Sequence, residues 1–241
     1  WSTSVSNSTA DSRNFCWFCL ASVNRDTAPL CQACLAELSF IETGCTLCAL
    51  PLPTDGICPE CQSSPPPFSC AHIPLVYSVL SSRLIDPLKH KLHSPSLPLL
   101  ARLMAERLTR RPAHWAPLTL IALPAHPRRT LARGFSQSAR LAHALAEKLP
   151  QQLCINRSAR LRRHSYLQTQ QGLSRKQRLR NLRNAFTATG VTGLTVGLVD
   201  DVVTTTATAR AASVALLAAG AARVELVAVS RTPKPNSKSL N

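Results

Sequence analysis

A chain of 241 residues, 45% of them hydrophobic, is long enough for one sizeable domain beside a small one and too apolar to be disordered. Its 28 Lys and Arg against 12 Asp and Glu give +16, a balance that attracts nucleic acid, nucleotides or pyrophosphate compounds, or that marks a solvated basic face. No uninterrupted apolar stretch approaches the ~18–20 residues of a membrane span, and residues 1–15 lack the apolar core of a secretory signal, so a cytoplasmic setting without a membrane span is expected.

The front of the chain is organised by cysteine. Eight of the ten cysteines form four CxxC pairs, Cys16/Cys19, Cys31/Cys34, Cys45/Cys48 and Cys58/Cys61. A CxxC turn offers two thiolates to one ion, and two such turns complete the tetrahedral site that zinc prefers. The spacing predicts two zinc ions, paired either sequentially or cross-braced. With all eight thiolates engaged no coordination position stays open, so the expected role is structural. Cys70 and His72 read as bystanders, and Cys154, in the apolar run QQLCI, reads as a buried strand residue. The Pro-rich SSPPPFSC stretch divides the chain. The expected layout is a flexible terminus at 1–15, a double zinc ribbon at 16–62, a linker at 63–71, a main domain at 72–232 and a flexible tail at 233–241.

From residue 72 onward helical and strand periods alternate. Residues 96–111 have apolar positions at helical spacing with basic residues in the last turn, 118–124 form a short buried strand ended by proline, and 136–149 form a second amphipathic helix with Ser136 as N-cap. Another buried strand is predicted at 194–201, a helix closed by Gly220 at 208–221, and a last strand at 223–230. The alternation implies an α/β fold with a parallel sheet flanked by helices.

In such sheets ligands bind beyond the carboxyl ends of the strands, which is where Asp200 and Asp201 fall. The small residues after them, Thr204, Thr205, Thr206, Ala207 and Thr208, open a helix whose backbone N–H groups and dipole favour an anion. The acids repel phosphate but accept hydrogen bonds from sugar hydroxyls. The ligand implied is a phosphorylated ribose, with its 5′-phosphate in the turn and its 2′ and 3′ hydroxyls on the Asp pair. The competing account is an N-capped, solvated loop. Between Glu147 and Asp200 there is no acidic residue, while Arg157 to Arg183 holds nine basic ones.

LVDDVVTTTAT resembles the phosphoribosyl-pyrophosphate (PRPP) loop of type I phosphoribosyltransferases. With the four CxxC pairs, LPAHPRRTLARGFSQSARLA, TQQGLSRKQRLRNLRNAF and AAGAARVELVAVSRT, the chain is similar to the ComF/GntX family of bacterial competence-related proteins over nearly all of residues 16 to 232. That resemblance implies a double zinc ribbon fused to a phosphoribosyltransferase fold. Asp200 and Asp201 would hold the ribose and residues 204–208 the 5′-phosphate. His126, Arg128 and Arg129 would approach the pyrophosphate, with Mg²⁺ as its counter-ion, while Arg133 and Gln137 would shape the neighbouring wall. The Arg-rich stretch 157–180 would form a hood, with Arg162, Arg163, Arg175 and Arg178 contacting single-stranded DNA and Tyr166 as its only aromatic. Implied partners are single-stranded DNA and DNA-uptake or recombination proteins. The alternatives are a phosphoribosyltransferase for a small acceptor without a DNA role, and a zinc adaptor with a decayed pocket. Two positions depart from the family pattern: Ser136 replaces the usual Asn, and Thr206 replaces the loop glycine. Glycine accepts positive φ and a β-branched residue resists it, so either the turn shifts or phosphate binding weakens.

Overall fold

The protein is described from a computed structural model, for residues 14–23, 29–112, 114–125, 134–164 and 185–234. Two compact units divide the chain, Trp1–Leu38 and Ser39–Asn241.

In the smaller unit, β1 (Asn14–Phe15) and β2 (Ser22–Val23) pair antiparallel around the first CxxC turn. The second pair opens α1 (Gln32–Ala36). Cys31 is its N-cap, and the sulfur accepts from the Cys34 N–H at 3.4 Å.

The larger unit starts with a second cysteine hairpin and α2 (Pro59–Ser63), which Cys58 and Pro59 initiate. Short strands β3 (Ala71–His72) and β4 (Leu75–Val76) follow. Then come α3 (Val79–Ile85), started by a Ser78/Ser81 capping box, α4 (Pro87–His90) and α5 (Ser96–Leu108). The remaining elements are β5 (Leu118–Ala122), α6 (Gln137–Lys148), β6 (Leu153–Cys154), β7 (Arg160–Arg163), β8 (Phe186–Thr189), β9 (Thr195–Val203), α7 (Ala207–Ala218) and β10 (Arg223–Arg231). Ser136 caps α6 as expected, its hydroxyl accepting from the Ala139 N–H at 3.3 Å.

The central sheet has the order β3-β10-β9-β5-β6, with β4 also on β10, and every one of these pairings is parallel. β7 and β8 form a separate antiparallel ribbon. The expected parallel α/β sheet flanked by helices is therefore present. Its middle strands are continuous apolar runs because both faces are covered: Val196, Leu198 and Val199 on β9 and Leu226 to Val229 on β10 are fully enclosed. The buried cysteines Cys45, Cys48, Cys58 and Cys61 belong to the same core as these strands.

Two expectations are corrected. β9 continues to Val203, because β10 stays paired with it through Ser230 opposite Val202 and Arg231 opposite Val203. The Asp pair thus lies inside the strand, not at its end. Cys154 is exposed. It sits on the two-residue edge strand β6, where the alternation of side chains turns Leu153 inward and Cys154 out.

The topology fixes where a ligand can enter. After β5 the chain runs through α6 to β6 on one side, and after β9 through α7 to β10 on the other. The crossovers diverge between the neighbours β5 and β9, which leaves a crevice at their carboxyl ends.

Candidate functional site: a strand-end crevice and two cysteine centres

The eight CxxC thiols gather into two groups, Cys16/Cys19/Cys31/Cys34 and Cys45/Cys48/Cys58/Cys61, each with its four sulfurs within 4.8 Å of one another. The pairing is sequential, not cross-braced. A zinc–sulfur distance near 2.3 Å puts tetrahedral sulfurs about 3.8 Å apart; Cys19 to Cys31 is 3.6 Å and Cys48 to Cys58 is 3.8 Å. Both groups fit zinc, which would supply folding energy and no open coordination position. The same turn is built twice. Leu20 and Ala49, each following the second cysteine of its pair, take φ of 63° and 54° and donate their N–H to the carbonyls of Cys16 and Cys45 at 2.9 and 2.8 Å.

At the crevice, the Asp200 carboxylate accepts from the Asp201 N–H at 2.9 Å and from Ser138 Oγ at 3.3 Å. Asp201 accepts from the Val202 N–H at 2.9 Å and from Gln137 Nε2 at 3.4 Å. Gln137 and Ser138 open α6, so the start of that helix orients both acids. Burial, and then the Asp201 charge beside it, push Asp200 well above the ordinary carboxyl range. The pair borders a cavity of about 390 Å³, also lined by Leu123, Pro124, Gln137, Arg163 and Thr208. A smaller niche of about 40 Å³ is formed by Asp200 and residues 202–209.

Within that niche Thr206 is the N-cap of α7, with φ 58° and ψ −7°. Threonine stands here in the left-handed conformation that glycine adopts most readily. Such a residue costs about 1–3 kcal/mol and persists where its surroundings over-determine it. Thr206 is buried, and its hydroxyl accepts from Arg210 Nε at 3.0 Å.

No family model matches the chain. Among curated proteins, it is 33% identical over 225 residues to the DNA utilization protein YhgH of Salmonella typhi, covering 90% of this chain and 96% of the relative. It is 32% identical over 222 residues to the same protein of Escherichia coli K12, with the same coverage. The chain belongs to the YhgH family. This is the ComF-like group that its motifs resemble.

In this family member the basic stretch divides. On β7, Arg162 is exposed, while Arg163 is half-buried, stacks over Phe186 at 5.6 Å and lines the cavity beside the Asp pair. Consecutive strand residues face opposite ways, so the two arginines serve different surfaces. His126, Arg128, Arg129, Arg133, Tyr166, Arg175 and Arg178 lie outside the described residues. Among the described residues no helix is long and apolar enough to cross a membrane.

The residues set aside as bystanders form a third cluster. His72 Nε2 lies 3.5 Å from Cys70 Sγ and 2.8 Å from Glu225 Oε2. Arg111 donates to both Glu225 oxygens at 2.7 and 3.1 Å, Arg223 pairs with it at 3.0 Å, and Trp115 packs against both guanidiniums. Two guanidiniums on one carboxylate leave no room for a divalent cation, so the cluster is a buried ion network. Burial would raise the Glu225 carboxyl, but hydrogen bonds from His72 and Arg111 and the Arg111 charge bring it down to about 2. Cys70 and His72 at i and i+2 share one face of an extended segment, which the sequence displays. Their meeting with Glu225 depends on the pairing of β3 with β10, which the sequence does not display.

Proposed function

We propose that this protein binds a phosphorylated ribose of the PRPP type at the carboxyl ends of β5 and β9, and uses that site in DNA utilization. The observation that carries the reading is Thr206 held at φ 58° at the head of α7, in the niche that Asp200 also lines. A decayed pocket has no need to keep a β-branched residue in a glycine conformation. The 5′-phosphate takes the turn at 204–208, where free N–H groups and the α7 dipole meet it. The ribose hydroxyls take Asp200 and Asp201. Arg163 faces the cavity where a diphosphate would extend, and Mg²⁺ would be the natural counter-ion for its remaining charge.

The relatives' name, DNA utilization protein, supports a role with DNA. The exposed basic side of β7, with Arg160 and Arg162, is the surface offered to the phosphates of a single strand.

Calorimetric titration of PRPP and of ribose 5-phosphate into the purified protein, with and without Mg²⁺, tests the site. Saturable binding that tightens with Mg²⁺ for PRPP is expected; no binding of either compound sinks the reading. For DNA, affinity should fall steeply with salt, and Arg162→Glu should lower the salt slope by about one or more while leaving ribose 5-phosphate affinity unchanged.

A further inference from the structure

Both flanks of the phosphate loop are tied to the second cysteine centre by arginines. Arg231, the last residue of β10, is 3% exposed. Its Nε donates to the Cys48 carbonyl at 3.2 Å, and Nη1 donates to the carbonyls of Val203 at 3.2 Å, Thr232 at 3.1 Å and Thr204. Among the described residues it forms no ion pair with a carboxylate. Arg210, on α7, donates to the Ser64 carbonyl at 2.7 Å, to the Pro65 carbonyl at 3.1 Å and to the Thr206 hydroxyl at 3.0 Å. Cys48 closes the first thiolate pair of the centre. Ser64 is the C-cap of α2, the helix that carries Cys61 of the second pair.

We propose that the second four-cysteine centre is a latch for the phosphate loop: Arg231 and Arg210 are positioning residues that pass the geometry of Cys45/Cys48/Cys58/Cys61 to residues 203–206. The chemistry favours this direction of control. Four thiolates on one zinc would leave a formal charge of about −2 on the centre, a counter-charge for the buried Arg231 guanidinium, which among the described residues meets no carboxylate and sits on the Cys48 carbonyl. The Cys48 carbonyl is held in place by the knuckle, whose Ala49 stands at φ 54°. When the four sulfurs no longer converge on one ion, that turn has no reason to persist and Arg231 loses one anchor. Thr206 keeps its strained conformation only while its surroundings impose it, and the arginines are the polar part of those surroundings.

Because binding free energies are reciprocal, a ligand in the loop must also retain metal at the second centre. The ligand arm of the test rests on the ribose-phosphate reading; the loop arm does not. In the full zinc-loaded chain, release of zinc to a colorimetric chelator is followed with and without saturating ribose 5-phosphate. Release of one of the two ions should slow by about tenfold, and Cys19→Ser, which disables the first centre, should leave that slow phase in place. In parallel, amide hydrogen exchange at 204–209 is measured before and after the second ion is removed, and in Arg231→Lys, which keeps the charge but loses the fork. Exchange there should rise by about tenfold in both, with two ions still bound in Arg231→Lys and the ligand effect on zinc release gone. If ribose 5-phosphate fails to bind but exchange responds to zinc, the latch stands and the ligand assignment falls. Unchanged exchange at 204–209 on zinc loss and in Arg231→Lys, or ligand binding indifferent to the second ion, overturns the latch.

Discussion

β9 and β10 run side by side in the sheet, and each holds a carboxyl group away from bulk water to opposite effect, Glu225 fully buried and Asp200 half-buried. Glu225 stands opposite Gly197 and Asp200 opposite Ala228, three residues apart along the strand pair, or about 10 Å. Glu225 is fully enclosed, satisfied by Arg111, Arg223 and His72, and held down at about 2. Asp200 has a hydroxyl, a backbone N–H and a second acid for company, and is pushed up. A buried acid with its cations supplied is part of the framework. One that borders a cavity beside a second acid, as Asp200 does, is where the proposed ribose would bind.

The largest effect should come from breaking the satisfied side. Glu225→Gln leaves Arg111 and Arg223 without their counter-charge, which should lower unfolding free energy by about 3–5 kcal/mol in denaturant titration, with little change in ribose 5-phosphate affinity in what remains folded. The same contrast governs pH dependence. The Glu225 carboxyl lies below its usual 4.5, so its contribution is fully present above that value and is lost as pH falls toward 2. Asp200 has the opposite sign: its folded value is raised, so stability declines as pH rises above the ordinary carboxyl range. Glu225→Gln should remove much of the acid limb, and Asp200→Asn should flatten the decline above it. Identical pH profiles for both variants and the parent would erase the distinction.

A smaller effect, confined to ligand, is expected on the cavity side. Asp201→Asn replaces a charge-assisted acceptor and should weaken ribose 5-phosphate binding by roughly 1.5–3 kcal/mol. Asp200→Asn removes the like-charge opposition and should leave the protein at least as stable near pH 7. Isothermal titration beside thermal unfolding separates the two. A loss of stability matching Glu225→Gln in either Asp variant would place these acids in the framework instead.

Much of this was legible because it is local. CxxC spacing announced two four-sulfur centres, and alternating periods announced the parallel sheet. LVDD followed by threonines announced the loop, and Ser136 capped its helix as its position suggested. The missing parts are non-local. Sequence does not say that Glu225 meets His72 and Arg111 across β3 and β10, or that Cys45 to Cys61 share a core with the sheet. Nor does it say that Arg231 reaches from the end of β10 to the Cys48 carbonyl. Side-chain direction was also hidden: Arg162 and Arg163 read as one basic pair until the register of β7 with β8 put them on opposite faces. Cys154 misled for a related reason, since an apolar neighbourhood does not reveal which face of an edge strand a residue takes.

The smallest effect tests whether the cavity side is strained. Thr206 carries a conformational cost of about 1–3 kcal/mol and recovers part of it through the Arg210 hydrogen bond, about 1 kcal/mol. Thr206→Gly removes both terms, so it should be stabilised by about 0–2 kcal/mol. Thr206→Ala keeps positive φ on a residue with a Cβ and loses the hydroxyl, so it should be destabilised by about 1 kcal/mol. Because both variants lack the hydroxyl, their difference in unfolding free energy reads the backbone strain less the larger unfolded-state entropy of glycine, about 0.4–1 kcal/mol. Ribose 5-phosphate affinity should follow the same order, glycine above alanine, because the proposed phosphate site at the head of α7 requires residue 206 to stay left-handed. Equal stability and affinity in the two variants would mean that the loop carries no strain beyond the glycine entropy, and that Thr206 is kept for its bond to Arg210 alone.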